Sequence, residues 1–134
     1  MSKTAIICIV DDDAIYQFTI TRTLEIQNAA ERIIAFSDGE MALQFIVENL
    51  DKPSVLPDVI FLDINMPVMD GWQFLEAYDK IKSNVTKPII IYLLTSSIDP
   101  ADVERAKKID TIARYLTKPI NPESLRGLIE LAAC

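Results

Sequence analysis

Four polar tracts stand directly behind short apolar runs: Asp11-Asp12-Asp13, Asp63, Thr95-Ser96-Ser97 and Thr117-Lys118-Pro119. The chain holds no histidine, which excludes imidazole acid/base catalysis and His-ligated zinc, so any chemistry is run by carboxylates, hydroxyls and lysine. If Asp11, Asp12 and Asp63 meet, each pair of charges 4 Å apart repels by roughly 4 kcal/mol at an effective dielectric of 20. Such a cluster calls for a cation. Oxygen-only ligands with open positions suit Mg²⁺, which keeps several waters and shares phosphate oxygens. Mg²⁺ beside a further carboxylate and an ammonium makes a site for phosphoryl transfer, where positioning and charge neutralisation do most of the catalysis. Asp63 is the nucleophile candidate, kept ionised by the cation and Lys118, and Thr95 is placed to hydrogen-bond a phosphoryl oxygen. The plainer readings are an acidic tract that caps a helix, a surface lysine and a helix-capping threonine.

What would bring these residues together is a repeating βα pattern. Five runs, Ala5 to Val10, Arg32 to Phe36, Val59 to Leu62, Ile89 to Leu94 and Ile112 to Leu116, are rich in Ile and Val and mostly lack alternation. They read as parallel strands buried on both faces. Helical segments separate them. The first follows Asp13, with Tyr16, Ile20 and Leu24 on one stripe; the second opens at Ser37-Asp38-Gly39, with Ala42, Leu43 and Ile46 inward. The third begins near Gly71-Trp72, the fourth after Asp99-Pro100, and the fifth after Asn121-Pro122, with Leu125, Leu128, Ile129 and Ala132 on one face. The expected fold is α/β: a doubly wound five-stranded parallel sheet flanked by five helices, whose ligands sit beyond the carboxyl ends of the strands.

The 134 residues suit a single domain, with no room for an effector domain. Half the residues are hydrophobic and 25% charged, an ordinary globular balance. Thirteen Lys+Arg against twenty Asp+Glu leave a net charge of -7, which disfavours nucleic acid and anionic lipid. No window approaches a membrane span of about 18 apolar residues, and Met1-Ser2-Lys3-Thr4 does not open a signal peptide. Two cysteines, Cys8 and Cys134, make no disulfide framework and suit a reducing compartment, so a cytoplasmic location is expected.

The motifs, taken in order, resemble those of the receiver domains of two-component response regulators, with a flavodoxin-like sheet in the order 2-1-3-4-5, over essentially the whole chain. Ile9-Val10-Asp11-Asp12 is similar to that family's acidic pair, and Phe61-Leu-Asp-Ile-Asn-Met-Pro-Val-Met-Asp-Gly71 to its phosphoacceptor segment. Leu94-Thr95-Ser96 matches its hydroxyl, and Tyr115-Leu-Thr-Lys-Pro119 its lysine motif. The resemblance implies that Asp63 is the phosphoacceptor and that Asp12, Asp63 and the backbone carbonyl of Asn65 bind Mg²⁺, with Asp11 acting through water. It implies that Lys118 contacts the phosphoryl group, that Lys118-Pro119 is cis, and that Ser96 fills the small-residue position. Thr95 and Tyr115 would form the switch, the ring turning inward as Thr95 moves toward Asp63; an edge tyrosine is the plain alternative.

The same resemblance implies a histidine kinase or histidine phosphotransfer protein as donor, since this chain has no histidine of its own. In the family such partners dock on the first helix, where Phe18 reads either as an exposed anchor or as a second core contact. Asn65 and Ser97 occupy positions that in the family influence acyl-phosphate lifetime. Gly71 fits a sharp turn or an ordinary one. Output is expected as binding of an unknown downstream protein, as phosphate relay or as a phosphate sink, from a monomer or weak homodimer with Arg105, Lys107 and Asp110 as interfacial charges.

Two departures are visible: Lys52 to Pro57 is longer than a minimal link, and Lys108 to Arg114 lacks the glycine common before the fifth strand. Three rival readings stand beside this one. A haloacid-dehalogenase-like phosphatase needs Asp-x-Asp, but Asp63 is followed by Ile64 and Asn65. A flavin carrier needs a phosphate-cradling first loop, which Asp11 to Asp13 would repel. The third is an interaction module on the same fold that is never phosphorylated.

Overall fold

The computed structural model describes residues 5–96 and 99–133. Expectations on Ser97, on Cys134 and on Met1 to Thr4 lie outside the described residues, as does the facing of Ala132. The strands are Ala5–Val10 (β1), Ala30–Phe36 (β2), Val59–Leu62 (β3), Ile90–Thr95 (β4) and Ile112–Thr117 (β5). The helices are Ala14–Gln27 (α1), Gly39–Glu48 (α2), Gly71–Ile81 (α3), Pro100–Lys107 (α4) and Pro122–Ala133 (α5), with one 3-10 turn at Lys82–Asn84. All strand pairs are parallel, in the order β2-β1-β3-β4-β5.

Alternate residues of the central strands feed two cores. Cys8, Val10, Ile60, Leu62, Ile91 and Leu93 meet Ala42 and Ile46 of α2, Phe74 and Leu75 of α3 and Ala106 of α4. On the other face Ile7, Ile9, Val59, Phe61 and Leu94 meet Ile20 and Leu24 of α1 and Leu125, Leu128 and Ile129 of α5. Each buried Val, Leu, Ile or Phe among them contributes roughly 1.5–3 kcal/mol, so β1, β3 and β4 carry most of the packing that holds the site.

Burial on both faces holds for β1, β3 and most of β4, but not for the edges. Strands β2 and β5 are only partly buried, because each has one neighbour and an outer margin in solvent. That also explains why β2 starts at Ala30 rather than Arg32: Glu31 sits on the exposed edge and breaks the apolar run without breaking the ladder.

Four helices start on an acid. Asp13, Asp38, Asp70 and Asp99 accept backbone N–H groups of the first turn, and Asp70 forms a reciprocal capping box with Gln73. Caps of this kind contribute about 1 kcal/mol each. Helix α1 carries two stripes: Ile20 and Leu24 are buried, whereas Ile15, Phe18 and Ile26 are 79%, 67% and 75% exposed. Phe18 is therefore a surface residue and not a second core contact.

The long link before β3 folds back on itself, with Val55 and Leu56 N–H groups donating to Lys52 O and Leu56 fully buried. The stretch before β5 needs no glycine: the residues at positive φ among those described are Asn28 and Val68.

Candidate phosphoryl-transfer site

Register carries the polar tracts to one edge. Val10 of β1 lies level with Leu62 of β3, and Leu62 with Leu93 of β4. One residue later Asp11 N–H donates to Phe36 O at 3.0 Å and Asp63 N–H to Val10 O at 2.9 Å, so both carboxylates leave the sheet at the same level. Thr95 pairs with Thr117, and Lys118 N–H donates to Thr95 O at 2.8 Å.

Asp11, Asp12 and Asp63 each offer a carboxylate oxygen, all within 4.8 Å of one another; Asp11 and Asp63 are buried and Asp12 is exposed. Lys118 Nζ lies 2.5 Å from Asp11 Oδ2 and 3.5 Å from Asp63 Oδ2. Three carboxylates against one ammonium leave an excess of two negative charges, and an oxygen donor set of that charge fits Mg²⁺. Burial and the neighbouring Asp11 charge push the Asp63 carboxyl up to about 6, against the pull of Lys118 and the Ile64 N–H. Burial draws the Lys118 ammonium down, but its hydrogen bond and charge contacts with Asp11 and Asp63 outweigh this and hold it above the usual lysine range.

The remaining expected residues also fall at this edge. Thr95 is fully buried at the end of β4, and Ser96 is exposed just beyond it. Asn65 is exposed in the loop after β3. Tyr115, on β5, is half-buried against the core on the α3 and α4 side. The Lys118-Pro119 peptide is cis. Asp13 caps α1 through Ile15 and Tyr16 N–H, and so belongs to the helix rather than to the acid cluster. Arg105 lies 4.5 Å from the centroid of the Trp72 ring.

Gly71 is required by closeness. A Cβ there would stand 2.4 Å from Asp63 O and 2.9 Å from Ile64 Cα, while Gly71 N–H donates to Ile64 O at 2.8 Å. The unusual backbone in this loop lies instead at Val68, φ 66°, inside a tight turn closed by Met69 N–H to Pro67 O.

Two contributors escaped the sequence reading. Gln17 Nε2 donates to Asp11 O and to Phe36 O, stapling the ends of β1 and β2 to α1. Tyr16 places its ring 4.6 Å from Lys118 Nζ. An amide and an aromatic on a helical stripe carry no motif; their partners are set by the crossover.

A five-stranded parallel sheet with an acid cluster and a lysine at its carboxyl edge defines a receiver-type phosphoacceptor fold. The chain belongs to the response regulator receiver domain family, whose model matches residues 7–130. It is 32% identical over 96% of its length to the hybrid signal transduction histidine kinase I of Dictyostelium discoideum. It is 33% identical over 90% of its length to a protein-glutamate methylesterase/protein-glutamine glutaminase of Azospirillum brasilense. The chain spans 7% and 28% of the lengths of those two relatives. Its backbone superposes on a two component response regulator from Cytophaga hutchinsonii with a TM-score of 0.85, at 27% identity and 98% coverage of both chains. Receiver domains are phosphoacceptor signalling domains of two-component systems. Among the described residues, no helix is long and apolar enough to cross a membrane.

Proposed function

We propose that this chain acts as a response regulator receiver, phosphorylated on Asp63 by a partner phosphohistidine. The convergence of Asp11, Asp12 and Asp63 within 4.8 Å beside the Lys118 ammonium is the observation that carries this reading. A carboxylate oxygen of Asp63 attacks phosphorus, the P–N bond of the donor breaks, and its electron pair leaves on the imidazole, which takes a proton. Asp11, Asp12, Asp63 and the Asn65 carbonyl are the residues that would hold Mg²⁺. Bound there, the cation supplies charge neutralisation for the incoming phosphoryl group.

Lys118 turns from Asp11 toward the new phosphoryl oxygens, Thr95 donates its hydroxyl to one of them, and Ser96 leaves room beside it. Phosphorylation adds charge and three acceptors, so the state in which Thr95 and Lys118 both reach them is favoured by that differential contact. Movement of Thr95 opens the space into which Tyr115 turns, which alters the α4–β5 surface read by a downstream protein. Exposed Ile15 and Phe18 in the first turns of α1 offer the donor an apolar docking face at the same end of the molecule as Asp63.

Incubation with Mg²⁺ and acetyl phosphate is expected to add one phosphoryl group to the wild type and none to Asp63→Ala, read by intact mass. A wild type that stays unlabelled would favour an interaction module instead.

A further inference from the structure

We propose that Tyr16 is a positioning residue for Lys118, its ring forming one wall of the ammonium's site and packing beside the residues that follow Lys118. The inference rests on the phosphoacceptor reading above and adds to it a group outside every motif. Three neighbours surround the Lys118 Nζ: Asp11 Oδ2 at 2.5 Å, Asp63 Oδ2 at 3.5 Å and the Tyr16 ring centroid at 4.6 Å. An aromatic face attracts a cation through its quadrupole, and more strongly where water is excluded. Lys118 is such a case, with a side chain only 13% exposed.

Ring placement is not left to packing alone. Asp13 Oδ1 accepts Tyr16 N–H at 3.2 Å, which fixes the backbone in the first turn of α1. The Tyr16 side chain shares a small cleft with Pro119 and Ile120, the two residues that follow Lys118. The side chain therefore bridges α1 and the β5–α5 loop directly over the lysine. Burial pushes the phenol up, which keeps the ring neutral beside the ammonium.

Geometry gives this wall a task. A lysine stem is flexible, and an ammonium with one side open to solvent would spread over many directions. With a ring covering one side, the three N–H bonds are confined to the half-space that holds Asp11 and Asp63. Reorientation from Asp11 to a phosphoryl group on Asp63 then becomes a short swing within that half-space, and little conformational freedom is lost during reaction.

Four variants test this: Tyr16→Leu, which keeps apolar bulk, Tyr16→Phe, which keeps the ring, Lys118→Met and the double variant Tyr16→Leu/Lys118→Met. One readout is the ¹⁵N-lysine ammonium spectrum of the metal-free protein, with the Lys118 resonance assigned by its loss in Lys118→Met. It is expected to be visible in wild type and Tyr16→Phe and broadened away in Tyr16→Leu. The other is the phosphorylation rate with acetyl phosphate at saturating Mg²⁺. Tyr16→Leu is expected to slow it about tenfold, and Tyr16→Phe by no more than about threefold. In the Lys118→Met background Tyr16→Leu should cost nothing further, because the two residues act as one unit. An unchanged lysine spectrum in Tyr16→Leu, or rate losses that add fully in the double variant, would overturn the proposal. If wild type takes no phosphate while the spectrum behaves as expected, the phosphoacceptor reading fails and the positioning contact stands.

Discussion

Lys118 sits closer to Asp11 than to Asp63: its Nζ lies 2.5 Å from one carboxylate and 3.5 Å from the other. The ammonium therefore occupies part of the space a divalent cation would need, and the two positive groups compete for the same acid. Lys118→Met is expected to raise Mg²⁺ affinity about tenfold, read by calorimetry, through loss of that repulsion. The same variant should lower metal-free stability and regain most of the loss once Mg²⁺ is added.

Metal binding should itself be visible as stability. At ten times its dissociation constant, Mg²⁺ bound only to the folded chain adds about 1.4 kcal/mol, or a rise of about 3–6 °C in Tm. EDTA should reverse the rise, and Asp12→Ala should abolish most of it.

Metal-free stability should also depend on pH through Asp63. Its carboxyl is pushed from 3.8 to about 6 in the fold, so between those values the folded state holds the proton more tightly than the unfolded chain. Stability from this group is therefore full below about pH 4 and is lost as pH rises to about 6, by at most about 3 kcal/mol. Asp63→Asn removes the cost and should stabilise the metal-free protein at pH 7 in urea unfolding. A variant less stable than wild type there would contradict the assignment.

Two glycines make an internal comparison. Gly71→Ala forces a Cβ to 2.4 Å from the Asp63 carbonyl oxygen and should cost about 1–3 kcal/mol, because neither backbone can yield. Gly127, inside α5, has nothing within 4 Å of the point where a Cβ would stand, so Gly127→Ala should add up to about 1 kcal/mol. Thermal unfolding of the pair reads both signs.

Val68 holds a β-branched side chain at φ 66° and is 73% exposed. Val68→Gly loses almost no packing and relieves roughly 1 kcal/mol of backbone strain, so Tm should rise.

Central features were legible in the sequence because they rest on short-range pattern. Apolar runs such as Val59 to Leu62 are too short for a buried helix and so read as buried strands, and the acids at 11, 12 and 63 follow those runs directly. The edges were less legible, since Glu31 on β2 obeys solvent rather than the core. Asp13, the last acid of its tract, caps α1, the plain reading the sequence already offered for an acid in front of a helix. The Tyr16 and Gln17 contacts could not be read at all, because each joins residues brought together only by the crossovers.

Gly71 leaves the backbone of α3 pressed against the carbonyl of Asp63 with no spare volume between them. The next residue, Trp72, is buried and lies under Arg105 of α4. A displaced Asp63 peptide would therefore meet the start of α3 directly, one residue before the ring that Arg105 of α4 covers.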